Sequence, residues 1–220
     1  MKPAPLHVRW LGRTRYRDAY ALQHALSQRG ADNWLLCQEH EPTYTMGVRT
    51  DPANILVDPA TVGAELVRAD RGGDVTFHGP GQLTAYPVLT LPGRGGGDKP
   101  DTVAYVRTVE QVVIDTLADL GLPGATRMDD YPGVWIAPEG ERPRKIAAIG
   151  VKLRRWVSFH GVSLNVEPDL EHFSGIVPCG IAGHGVTSLA DLGRIVDATT
   201  VDMALADAFE DRLGSIARIS

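Results

Sequence analysis

The stretch Arg71-Gly72-Gly73-Asp74-Val75-Thr76-Phe77-His78-Gly79-Pro80-Gly81-Gln82 carries four glycines and one proline in twelve residues. Glycine inside a helix costs roughly 0.5–1 kcal/mol against alanine and proline about 3 kcal/mol, so no helix runs through it. Leu66 to Ala69 before it and Leu83 to Leu89 after it are apolar and extended in pattern, which makes the region strand, glycine-lined loop, strand. Pro87 in the second strand points to an edge position or a bulge. With 24 Gly and 15 Pro in 220 residues, tight turns recur along the whole chain and a helical bundle is excluded.

The remaining segments mix both kinds of periodicity. Leu6 to Gly12 reads as a strand, and Tyr16 to Arg29 has a helical stripe at Ala19, Leu22, Ala25 and Leu26 that Gly30 stops. Asn33 to Cys37 reads as a buried strand, Glu39 to Pro42 as a loop, Tyr44 to Met46 as a short strand, and Pro52 to Ala64 as weak helix or loop. Gly93 to Pro100 is a loop tip, after which Asp101 caps a helix with Val103, Val106, Val109, Val113, Leu117 and Leu120 on its packing face. Val134 to Ala137, Lys145 to Leu153 and Val157 to Val166 form an antiparallel meander, and Thr199 to Ile216 is an amphipathic helix with a Thr199/Asp202 cap. Strict βαβ alternation is missing, so the fold class is α+β: a central mixed, largely antiparallel sheet flanked by helices, in a single domain over residues 1–220.

Lys and Arg number 22 against 27 Asp and Glu, a formal charge of -5. That balance disfavours nucleic acid as a partner. No apolar run approaches the ~18 residues of a membrane span and no signal segment opens the chain, so neither membrane nor export is expected and a cytoplasmic location is. Cys37 and Cys179 lie far apart with no CxxC spacing, which predicts neither a disulfide framework nor a zinc site.

A lone cysteine is more often a packing residue than a reactive one, and Cys37, behind Trp34, Leu35 and Leu36, fits that description. Cys179 fits it poorly, because Pro178 restrains the approach and Gly180 frees the exit of what reads as a turn. A thiol beside exposed N–H groups or a cation becomes a thiolate, and the same N–H groups could hold an oxyanion. Lys145 opens Lys145-Ile146-Ala147-Ala148-Ile149-Gly150-Val151, and an unbroken strand points it the same way as Ala147, Ile149 and Val151. It either turns into that apolar face or reaches water from the strand end. Arg71 and His78 offer polar contacts from the glycine-rich loop, which has neither Walker nor GxGxxG spacing. His78, His160, His172 and His184 are candidate bases for Cys179, and their spacing predicts no metal site.

Taken in order, Arg71 to Pro87, Gly133 to Trp135, Lys145 to Val151, Phe159 to Val166, Ile176 to Ile181 and Val186 to Leu189 resemble the lipoyl(octanoyl) transferases of lipoate synthesis. The resemblance implies a biotin/lipoate protein ligase-like fold, with a smaller second sheet beside the main one. It implies that Cys179 is the acyl-thioester nucleophile and that Lys145 tunes it and moves protons. It maps substrate contacts onto Arg71, Gly72, Gly73, Asp74, Val75, Thr76, Phe77 and His78, onto Ala148, Ile149 and Gly150, and onto Gly161, Val162 and Ser163. Ser163 departs from the family's usual alanine and adds a hydroxyl near the implied acyl pocket.

The implied reaction moves octanoyl from octanoyl-acyl carrier protein to a lysine of lipoyl domains, those of 2-oxoacid dehydrogenase E2 subunits and of the glycine cleavage H protein. No cofactor or metal is expected, because a thioester is already activated. The rival readings are an ATP-dependent lipoate or biotin ligase, a non-catalytic acyl- or lipoyl-domain-binding module, and a Cys/His hydrolase. Six basic residues between Arg142 and Arg155 with no acidic one predict a docking field for acidic partners around the strand that holds Lys145.

Overall fold

The computed structural model describes residues 6–28, 32–91, 101–137, 141–177 and 184–217, with side chains as far as 212. Eleven strands and three helices are described: β1 (Leu6–Thr14), α1 (Tyr16–Ser27), β2 (Asn33–His40), β3 (Thr43–Met46), β4 (Glu65–Arg68), β5 (Thr76–His78), β6 (Gln82–Val88), α2 (Thr102–Asp119), β7 (Thr126–Met128), β8 (Tyr131–Ile136), β9 (Arg144–Arg154), β10 (Val157–Asn165), β11 (Gly185–Val186) and α3 (Ala198–Ala217). The main sheet runs β1-β2-β6-β10-β9-β8-β7 with β11 beside β9, and a three-stranded sheet runs β4-β3-β5. β1 with β2 and β11 with β9 are parallel; the other pairs of the main sheet are antiparallel. The α+β class and the smaller second sheet are as the sequence led us to expect.

Alternate residues of β2 serve opposite faces, as pleating requires. Leu35 and Cys37 join the larger core under α2 and α3, with Val109, Val113, Leu164 and Phe209. Leu36 joins Tyr16, Ala19, Leu26, Tyr86 and Val88 under α1. A third cluster, Tyr44, Val75, Phe77 and Phe173, fills the small sheet.

Several local expectations change. Pro87 sits in β6, a central strand between β2 and β10. The described ladder with β10 ends at Ala85, and the Pro87 carbonyl there accepts from the Ser158 hydroxyl at 2.6 Å, so the missing N–H breaks no pairing. β2 continues through Glu39 and His40, and Thr76–His78 inside the glycine-rich segment is a strand of the small sheet. Val103 is 71% exposed. The buried stripe of α2 runs instead through Tyr105, Val109, Val112, Val113, Thr116 and Leu117, because two residues from Tyr105 is more than half a turn of helix. Asp101 caps α2 as expected, accepting from the Ala104 N–H at 3.0 Å. The cap of α3 is Asp197, which accepts from Thr200 N–H and hydroxyl, not Thr199. Pro52 to Ala64 holds two short 3-10 turns. The Gly93 to Pro100 tip and Gly30 lie outside the described residues.

Candidate active site

The glycine-rich segment is pinned at both sides. Arg71, 6% exposed, donates from Nη2 to the Thr45 carbonyl at 2.6 Å and from Nη1 to the Asp74 carbonyl at 2.7 Å. The Gly72 N–H donates to Val151 O at 2.9 Å, which ties the loop to β9. A Cβ on Gly150 would stand 3.0 Å from Arg71 Cδ and from Gly72 O, and one on Gly161 would stand 2.2 Å from Ala85 O. Gly161 is therefore required by close approach rather than by turn geometry, and at Gly150 a side chain would fit only if Arg71 and the Gly72 carbonyl gave way.

This packing leaves a narrow cleft, with a cavity volume of about 40 Å³, between the loop and the α1 face of β6, β10 and β9. Arg71, Gly72, Gly73, Asp74, Thr76 and His78 line it, as do Ala148, Ile149, Gly150, Gly161, Val162 and Ser163. Val75 and Phe77 do not; they point into the cluster under the small sheet with Tyr44 and Phe173, and alternation along the extended chain of β5 and the residue before it sends every second side chain away from the cleft.

Lys145 is buried, but on a face other than the one alternation assigns. The β8–β9 register passes from Val134↔Ala147 to Trp135↔Lys145, so β9 carries one extra residue, Ile146. Such a bulge reverses the facing of everything beyond it. Ile146 and Ala147 both enter the large core, while Lys145 enters a small void with Thr76, Gln82, Ala148, Ser163 and Asn165. That void shares Thr76, Ala148 and Ser163 with the cleft. Lys145 Nζ donates to Pro132 O at 3.2 Å.

Cys179 lies outside the described residues, within 178–183. The described chain on either side is anchored. Val177 N–H donates to Asn54 O at 2.8 Å, and Asn54 Nδ2 donates to the Asp74 carboxylate at 2.6 Å. Val186, which pairs with Lys145, lines the Lys145 void.

Of the four candidate histidines, His78 and His160 line the cleft. His172 stacks on Phe77 with centroids 4.3 Å apart, and His184 lies 5.5 Å from the Trp135 ring that Lys145 covers. Burial lowers His160 to about 4 and His78 well below its ordinary value, so both are neutral imidazoles near pH 7. His160 is a strand residue with φ 58, a left-handed conformation that costs an L-residue roughly 1–2 kcal/mol. Sequence reasoning missed Tyr16, Thr84 and Tyr86, which also line the cleft, and Asp70, which bonds His160. Tyr16 reads locally as a helix residue, and only the crossing of α1 over the sheet brings it there. Asp70 stands next to Arg71, and that adjacency was the one available signal. Among the described residues no group of His, Cys, Asp and Glu is arranged to hold a metal ion.

Residues 15–210 match the family Lipoyl protein ligase A/B catalytic domain. An octanoyltransferase of Dinoroseobacter shibae is 46% identical over 91% of this chain and 93% of its own, and one of Parvibaculum lavamentivorans is 50% identical over 82% and 77%. Among solved structures, a bipartite lipoate protein ligase from Thermoplasma acidophilum, determined in an analysis with its E2 lipoyl domain, superposes with a TM-score of 0.74 at 21% identity, covering 96% of this chain and 84% of that one. The last likeness is one of fold.

Proposed function

Because the chain belongs to the Lipoyl protein ligase A/B catalytic domain family, we infer that it transfers an octanoyl group in lipoate biosynthesis. It is an acyltransferase, as its relatives at 44–50% identity are. The donor in this reading is octanoyl-acyl carrier protein, and the acceptors are lysines on lipoyl domains of 2-oxoacid dehydrogenase E2 subunits and of the glycine cleavage H protein. Its setting is cytoplasmic, where a thiol stays reduced. Among the described residues no helix is long and apolar enough to cross a membrane.

In the chemistry we infer, the Cys179 thiolate attacks the thioester carbonyl, a new C–S bond forms, and the donor C–S bond breaks. Lys145 supplies the proton that the departing thiolate takes. The acceptor amine then attacks the acyl-enzyme, the amide C–N bond forms, the Cys179 thiolate leaves, and Lys145 takes the amine's proton. No adenylation is needed, since thioester to amide runs downhill. The observation that carries this reading is the buried Lys145 in a void that shares Thr76, Ala148 and Ser163 with a narrow cleft. Such a cleft suits a hydrocarbon chain, lined by Tyr16 and Tyr86 and floored by Ala148, Gly150 and Gly161.

The basic run does not support docking as one field. Arg144 pairs with Asp191 and Glu141, and Lys152 pairs with Asp70. Arg154 and Arg155 are exposed at the β9–β10 turn, nine residues and roughly 30 Å of strand from Lys145.

Intact mass analysis after mixing with octanoyl carrier protein tests the mechanism. A hydroxylamine-labile octanoyl adduct on the peptide holding Cys179 is expected. Octanoyl transfer without any adduct, or an adduct that survives Cys179→Ala, would overturn it.

A further inference from the structure

The cleft and the Lys145 void meet at Thr76, Ala148 and Ser163, and Tyr16 and His160 line only the cleft. His160 lies opposite Val151, three residues beyond Ala148 along β9 and away from Lys145, and the Tyr16 hydroxyl bonds its ring. Along β9 and β10 the floor steps from Ala148 beside Ser163 to Gly150 beside Gly161, and His160 follows on β10 opposite Val151.

By alternation His160 belongs with Val162 and Leu164 on the core face. Its left-handed backbone turns it to the α1 side instead, and three hydrogen bonds hold it there. The His160 N–H donates to Gln23 Oε1 at 2.7 Å, Nε2 lies 2.8 Å from Asp70 Oδ1, and Nδ1 lies 3.2 Å from the Tyr16 hydroxyl. Asp70 is bound by Lys152 and accepts from the Tyr20 hydroxyl at 2.7 Å. Burial opposes its ionisation, yet the hydrogen bonds from Lys152, His160 and Tyr20 hold it well below the usual carboxylate range. A carboxylate only accepts, so His160 Nε2 carries the ring proton and Nδ1 accepts from Tyr16. Both polar hydrogens are used inside the wall, so neither ring offers a free donor to the cleft they line.

We propose that Tyr16 and His160 are the end stop that sets the length of acyl chain the cleft accepts, with Asp70 as the positioning residue that locks the His160 ring. This rests on the transferase reading of the cleft. An extended eight-carbon chain advances roughly 9 Å from its carbonyl on bonds of ~1.5 Å, and Val151, the cross-strand partner of His160, stands about 10 Å along β9 from Ala148 at ~3.3 Å per residue. A chain whose carbonyl sits at Ala148, where residues line both the cleft and the Lys145 void, thus meets the two rings with its last carbons. A strained residue held by three bonds is a feature that packing alone does not demand.

The test is competition. A mixture of hexanoyl to tetradecanoyl thioesters of N-acetylcysteamine is offered with a lipoyl domain, and the acylated products are counted by mass. His160→Gly removes the ring while suiting the left-handed backbone, and Tyr16→Ala opens the same wall from the helix side. In each, the ratio of dodecanoyl to octanoyl product should rise by about ten-fold or more, the discrimination one or two methylenes carry. Asp70→Ala should raise it too, and Asp70→Asn, which keeps an oxygen for His160, should restore it. Lost stability alone would slow all chain lengths together. A ratio within about two-fold of the parent in either wall variant, with a cooperative melt retained, overturns the end stop, as does an unchanged ratio in Asp70→Ala for that residue's role. A parent enzyme that forms no acyl product at all overturns the transferase reading and the end stop with it.

Discussion

Lys145 Nζ stands 4.6 Å from the centroid of the Trp135 ring, and these two residues are cross-strand partners only because β9 holds one extra residue. Without Ile146 as that extra residue, alternation would send Lys145 into the core beneath α2, away from the cleft. The bulge therefore places the one lysine of the candidate site, and the indole and the Pro132 carbonyl fix its direction.

Lys145→Met keeps the stem's volume and its contact with Trp135 while removing the amine. We expect transfer to fall by about 10²–10⁴-fold, the range for a lost acid–base group, with the melting temperature little changed. Initial rates with octanoyl carrier protein, paired with a thermal melt, check this. Activity within a few-fold of the parent would remove Lys145 from the mechanism.

Cys37 is buried, and desolvation pushes its thiol up to about 12. At pH 7.5 it should resist alkylation by iodoacetamide in the native enzyme, leaving Cys179 as the site of fast labelling and of inactivation. Peptide mapping after short exposure reads this directly. Cys37→Ala should keep transfer and cost about 1 kcal/mol of stability, the value of one small buried group.

Transfer from octanoyl carrier protein should proceed in the presence of a chelator and with no nucleotide. An absolute requirement for ATP and magnesium would move the chain to the ligase branch of its family, and free octanoate as the main product would make it a hydrolase.

His40 and His160 are both lowered to about 4, chiefly by burial. Between pH 6.5 and 4 the unfolded chain binds protons at these positions and the folded chain does not, so stability falls as pH falls through that window. The loss should be on the order of 2–3 kcal/mol for each at the acid end. Urea midpoints measured from pH 7.5 to 4.5 test it, and a flat profile would contradict the buried neutral pair.

Asp202 has the opposite sign. Burial, with Glu39 nearby, raises it to about 6, so its carboxylate destabilises the fold above that pH and the penalty fades as pH falls towards 4. Asp202→Asn should stabilise the protein at pH 8 by about 1–2 kcal/mol, after allowance for its half exposure, and should do nothing near pH 3.5. Equal stabilisation at both values would point to a cause other than ionisation.

Much of the site was legible because its residues sit in contiguous motifs. Twelve of the fourteen expected substrate contacts line one cleft, and the other two, Val75 and Phe77, turn instead into the cluster with Tyr44 and Phe173. Tyr16, Thr84 and Tyr86 were not legible, since no local pattern separates a cleft residue from a core residue of the same element. The facing of Lys145 was misread for a related reason: a bulge is one inserted residue, and Ile146 carries no mark of it.

By itself the sequence determined the elements and the chemistry available to them. Glycine and proline punctuation, period-2 and period-3.6 patterning and the capping Asp101 are local energetic preferences, and they need no partner strand to act. Only the tertiary structure decided which faces meet. The register of β8 on β9 aims Lys145, the left-handed turn at His160 brings it to Tyr16 and Asp70, and the ladder's interruption beyond Ala85 admits Pro87 to a central strand. Each of these depends on pairings between residues ten or more positions apart, whose energies belong to the assembled sheet and to no segment of it alone.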